Sequence, residues 1–290
     1  MQFGLLKSLK SAYSSLNPEN VRQLAERPLD IQLVADSEES YSYMEAFFIP
    51  GRVSAADRAT GLHTLTRATE TTVSPTADLA IYEQGVSSPR GAFTFYLDSP
   101  ERTVEDILEA RPDLEVALAR QFLAFRHPTV RRIVSRIARE NAMFTLMTAM
   151  PNIIPTIIEL PWAFGEYATD SAFLTINQVR MAFLIAACSG RAVGVAEQKA
   201  EILSIVGSAF GWRAIARELV GKIPLGGGLI PKAAIAWAGT FVVGRAVEQV
   251  YLTGDRLKRN EHHELYHRAL ERGREVATHL WETVRKPSAA

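Results

Sequence analysis

The sequence predicts an α+β protein: a small N-terminal α/β unit followed by a predominantly helical, apolar bundle. Three observations carry that expectation. Short apolar segments bounded by turn residues cluster before residue 100, helical periodicity takes over from Ser99-Pro100, and charge thins out in the middle of the chain. Residues 141–250 hold 15 of the 64 charged side chains, about 14% of that segment, against about 27% elsewhere, which makes this shift the clearest compositional boundary. The expected division is an α/β unit at 1–100, an apolar helical domain at 101–255, and a charged helix and tail at 256–290.

Each element has a local reason. The opening MQFGLLKSLKSAYSSL has neither the apolar core nor the cleavage site of a secretory signal, and reads as a short amphipathic helix grouping Phe3, Leu5, Leu6 and Leu9. Asn17-Pro18-Glu19 starts a second helix, with Asn17 as cap and proline at the first helical position. "LDIQLVA" (29–35) reads as a strand and "DSEESYSYMEAFF" as the helix after it. The stretch 51–76, rich in Thr, Ala and Gly, is expected to form loops. "ADLAIYEQG" (77–85) and "GAFTFYLDS" (91–99) read as two further strands separated by Ser-Ser-Pro-Arg.

Helices follow. "TVEDILEARPDLEVALARQFLAF" is divided at Pro112. "PTVRRIVSRIARENAMF" groups Ile133, Val134, Ile137 and Ala138 on one face and Arg132, Arg136 and Arg139 on another. Further helices are expected near 171–190, 196–219 and 231–252, and a charged one from about 256 to 285.

Composition narrows the function. Lys plus Arg equals Asp plus Glu at 32 each, so no overall field draws the protein to nucleic acid. The single cysteine, Cys188, forbids an internal disulfide and suits a reducing compartment.

One motif points to chemistry. In "NEHHELYHRAL" (260–270), His263 and His267 stand one helical turn apart with Glu264 beside them, the spacing by which zinc peptidases hold a metal and place a base. The flanks are charged (Arg256, Lys258, Arg259, Glu261, Arg268), whereas a zinc cleft is dry. The helix's apolar stripe, Leu265, Ala269, Val276, Leu280 and Val284, lies away from both histidines. A solvated helix is therefore expected, with the zinc peptidase as the alternative.

A second alternative is a nucleotide-responsive switch. The strand–loop–helix at 29–48 occupies the place of a phosphate loop, but "ADSEESYSY" lacks the glycines and lysine that a phosphate needs and offers Asp36, Glu38 and Glu39 instead. No cofactor is expected.

The apolar region points to lipid. Residues 141–158 are uncharged, and Pro151 and Pro155 interrupt the run, so a straight span is not expected. "KIPLGGGLIPK" (222–232) has the same residue types on both sides of Gly227, a hairpin whose apolar tip is bracketed by lysines that can reach back to headgroups. Membrane-contact candidates are Pro151, Pro155, Trp162, Lys222, Leu225, Leu229 and Lys232. The basic flank Arg126, His127, Arg131, Arg132, Arg136 and Arg139 would face the anionic, cytoplasmic side. Ala236, Thr240 and Gly244 form a small face suited to close helix approach, and Gly207 and Gly211 repeat the idea.

"MPNIIPTIIELP", "INQVRMAFLIAACSGR" and "FGWRAIARELVGKIPLGGGLIPKAAIAWAGTFVVGRAVEQVYLTGD" resemble the YcjF-like bacterial domain of unknown function, over about residues 150–255. Gln178, Met181, Pro224, Gly226 and Tyr251 stand at the positions of its pattern. The resemblance implies a GTPase-associated, inner-membrane helical domain with no established activity. The expectation is thus a membrane-associated, non-enzymatic scaffold or interaction protein on the cytoplasmic side of a bacterial inner membrane. Its partners would be membrane lipid and, through the α/β unit, a GTPase or another protein.

Overall fold

A computed structural model describes residues 17–148, 170–205 and 228–285. The protein is α+β, as expected, and divides into two compact units. The first takes Glu19–Arg131 and Ala186–Ala192; the second takes Arg132–Ile185 and Val193–Ala290, with Met1–Pro18. The first unit thus runs past residue 100, the boundary read from the change of periodicity at Ser99-Pro100. Composition drops its charge only at 141, whereas packing follows the aromatic core, which continues through Phe122 and Phe125.

In the first unit, α1 (Pro18–Glu26) leads into β1 (Ile31–Val34), α2 (Glu38–Phe48), α3 (Ala55–Thr64), β2 (Leu65–Ala68), β3 (Leu79–Glu83) and β4 (Phe93–Phe95). The strands form one parallel sheet in the order β2-β1-β3-β4. Register places Leu33 beside Ile81, and both are fully buried with Phe95 in a core that includes Met44 and Phe48. Phe48 stacks on Phe125 at 6.0 Å and meets Phe122 and Phe95 edge-on. Against Val34, Ala68 and Tyr82 pack Val73, Val86 and Ala92, from the loops after β2 and β3. Both faces are therefore covered, which a parallel sheet requires.

The expectation of loops across 51–76 fails at α3 and β2. Ser54 caps α3 by accepting the Asp57 N–H at 3.1 Å. β2 exposes Thr66 and Arg67 and takes its conformation from pairing with β1, not from its own apolar pattern.

After β4 come α4 (Pro100–Ala110), a 3₁₀ turn (Pro112–Leu114), α5 (Glu115–Gln121) and α6 (Leu123–Thr148). Helix α6 begins five residues before Pro128, where the sequence reading started it. Pro128 lies inside the helix, one turn and a half from its start, and costs it the bond that an N–H there would make to the Ala124 carbonyl.

The second unit holds the rest of α6, then α7 (Asp170–Cys188) as far as Ile185, α8 (Leu229–Thr253) and α9 (Arg259–Arg285), with a helical stretch at 199–205. Ile133, Val134, Ile137 and Ala138 are buried as the periodicity predicts. In α7, Met181 to Ile185 are buried in succession, as befits a helix with neighbours on every side. Helices α8 and α9 pack together through Ala234, Trp237, Ala238, Tyr266, Ala269 and Ala277. Gly273 makes the closest approach: a Cβ there would stand 2.7 Å from the Ala234 carbonyl oxygen. Gly244 does the same toward α6 and α7, where a Cβ would meet Val134 at 2.7 Å and Met181 at 2.9 Å. Within this apolar interior lies a polar layer. Asn141 Nδ2 donates to Thr240 Oγ1 at 2.8 Å, Asn177 Nδ2 to Asn141 Oδ1 at 2.9 Å, and Gln178 Nε2 to Thr240 Oγ1 at 3.3 Å.

Candidate functional site

The carboxyl edge of the parallel sheet is where such folds bind ligands, at the point where strand order reverses. Here that point lies between β1 and β3, since the chain passes from β1 to β2 on one side and returns to β3 on the other. The amino end of α2 faces it, and its position for an anion is already filled. Glu83, the last residue of β3, accepts the Asp36 N–H at 3.0 Å and the Ser40 hydroxyl at 2.6 Å. A helix amino end favours negative charge, and the protein supplies its own carboxylate there. The nearby cation Arg67 is committed to Glu45, at 2.6 and 2.8 Å, and to Glu38. That pairing holds the Glu45 carboxyl below its ordinary range. The edge therefore presents acid where a nucleotide would need amides and a lysine.

The histidine pair lies on α9. His263, Glu264 and His267 are exposed, and the two Nε2 atoms stand 3.0 Å apart with the rings edge-on. Two imidazoles on one metal are separated by about that distance, given metal–nitrogen bonds of about 2.0–2.1 Å. Among the described residues, no third His, Cys, Asp or Glu joins them to make a metal-binding group. The side of α9 turned inward is Tyr266, Ala269, Gly273, Ala277 and Leu280; the sequence reading missed Tyr266, Gly273 and Ala277.

Among the membrane-contact candidates, Pro151, Pro155, Trp162, Lys222 and Leu225 lie outside the described residues. Lys232 is exposed. Leu229 opens α8, is half-buried, and packs against the helical core. Arg126 departs from the exposed basic flank that was expected. It turns inward, donating from Nε to the Ala119 carbonyl at 3.2 Å and from a terminal nitrogen to the Arg120 carbonyl at 3.3 Å. It thus satisfies the free carbonyls at the end of α5, and burial lowers its pKa. Arg132 and Arg139 are exposed and Arg136 is half-buried, so α6 does present an arginine face in the second unit. No helix among the described residues is long and apolar enough to cross a membrane.

The positions that carry the family resemblance are packing positions where they are described. Gln178 belongs to the polar layer, Met181 abuts Gly244, and Tyr251 is buried near the end of α8; Pro224 and Gly226 lie outside the described residues. No protein-family model, curated protein or solved structure matches the chain.

Proposed function

We propose that the protein is a membrane-associated, non-enzymatic scaffold, held at the cytoplasmic face of a bacterial inner membrane while its α/β unit meets a protein partner, a GTPase among the candidates. One observation carries this reading. The arginine face of α6 runs directly into residues 141–158, which bear no charge. Basic residues flanking an apolar segment are the arrangement that anionic leaflets retain. Attachment is assigned to the Pro-rich run with Pro151, Pro155 and Trp162 and to the hairpin carrying Lys222, Leu225 and Lys232, as partial insertion. The acid at the sheet's carboxyl edge supports a binding role for the α/β unit over nucleotide hydrolysis, and no heat is expected when GTP or ATP is titrated into it.

Fractionation of gently lysed bacterial cells tests the reading: the protein is expected to sediment with membranes, and recovery in the supernatant would end it. The 3.0 Å spacing of His263 and His267 favours a second reading, a zinc peptidase with Glu264 as base. Metal analysis separates the two. The scaffold reading expects purified protein to lack stoichiometric zinc; a full equivalent, lost on His263→Ala, would support the peptidase.

A further inference from the structure

His263 and His267 stand one turn apart on α9, both exposed, with their Nε2 atoms 3.0 Å from each other. The ring planes cross at 80° and the ring centres are 4.4 Å apart. A head-on N–H···N bond would separate the centres by the nitrogen distance plus two ring radii, which is more than is seen. At least one ring is therefore turned off that line. The helical turn, rather than a well-aligned bond, brings the nitrogens together.

Their separation selects a coordination geometry. With imidazole–metal bonds of about 2.0–2.1 Å, two nitrogens at a right angle on one ion lie about 2.8–3.0 Å apart, and at the tetrahedral angle about 3.3–3.4 Å. The observed 3.0 Å is the right-angle value. Right angles between nitrogen ligands belong to square-planar or tetragonal copper(II) and nickel(II), whereas zinc sites are tetrahedral and take three or four protein ligands. Among the described residues no third ligand joins this pair. Copper(II) also stands at the top of the affinity order for divalent metals at nitrogen sites.

We propose that His263 and His267 form a two-imidazole chelate for copper(II), open to solvent, with water completing the coordination plane. The ring that donates the hydrogen bond gives up its Nε2 proton and takes one at Nδ1. Both Nε2 lone pairs then reach the metal, and no net proton is released. The site needs neither lipid nor Glu264, so it is independent of both readings of function.

In the test, the full chain is titrated with copper(II) buffered by glycine, and separately with zinc chloride, by calorimetry. The copper complex is then examined by electron paramagnetic resonance. The protein is expected to bind copper more tightly than zinc and to show a tetragonal copper spectrum split by two imidazole nitrogens. A tethered second ligand is worth about 10²–10⁴-fold, so His263→Ala and His267→Ala are each expected to weaken copper binding by about a hundredfold or more and to remove one nitrogen from the spectrum. Both side chains are exposed, so neither change disturbs packing. Glu264→Gln and His279→Ala, also exposed on α9, are expected to change nothing. Absence of copper binding, or binding undiminished in either His263→Ala or His267→Ala, would overturn the proposal. Zinc bound as tightly as copper would overturn it too, in favour of the peptidase.

Discussion

At the outer edge of β4, the Tyr96 N–H donates to Thr103 Oγ1 at 3.1 Å, and the same hydroxyl donates to the Thr94 carbonyl at 2.9 Å. One side chain from α4 thus takes the part of a missing neighbouring strand, and the edge is closed to pairing with other chains. Thr103 is fully buried, so Thr103→Val keeps the shape and strands two backbone groups. The expected cost is about 1–3 kcal/mol, read from chemical denaturation. A loss below about 0.5 kcal/mol, the level of an ordinary surface change, would contradict the edge role. At the amino edge of the sheet, Arg27 bridges Asp78 at 2.8 Å and Asp113 at 3.0 Å. Arg111 and Arg27 together draw the Asp113 pKa down to about 2. Because that pKa is depressed on folding, its stabilisation is present above about pH 4 and fades as pH falls toward 2. The effect is small, since Asp113 is half-exposed. Asp113→Asn is expected to lower the melting temperature slightly at neutral pH and to flatten its decline between pH 4 and pH 2.

The α8–α9 pair depends on a residue with no side chain. Gly273→Ala would press a methyl against the Ala234 carbonyl oxygen, where backbone cannot yield cheaply. Overpacking of this kind costs about 1–3 kcal/mol, against the gain that alanine brings to an exposed helix position. A melting temperature unchanged or raised by Gly273→Ala would refute the close approach. Such contacts explain what the sequence could show and what it could not. β1, β3 and β4 were legible because their apolar residues are buried by the pattern itself, and the buried face of α6 was legible from helical spacing. Helix α3 and β2 were hidden because Arg58, Thr66 and Arg67 are exposed and the segment is held by neighbours. Gly273 reads in isolation as a helix weakener, and only the facing helix makes it a contact. Glu83 looked like an ordinary strand end until the topology brought it to the amino end of α2.

For the molecule as a whole, the proposed membrane attachment is tested by whether the protein sediments with membranes and by what releases it. An arginine-only attachment is screened by salt, so high ionic strength would release it completely. If the Pro-rich run and the lysine-bracketed hairpin also enter the bilayer, a salt wash is expected to leave a fraction that only detergent removes. Complete release by salt would reduce the attachment to surface charge. The amide layer of Asn141, Asn177 and Gln178 around Thr240 sets a further condition on any signal carried by these helices. Sliding α8 by one turn past α6 and α7 would take Thr240 from Asn141 and Gln178, at about 1–3 kcal/mol for each amide left unpaired, while the Asn177–Asn141 bond between α7 and α6 stays intact. A piston stroke of α8 is therefore opposed, and a tilt or a parting of the helices with that layer as its pivot costs less.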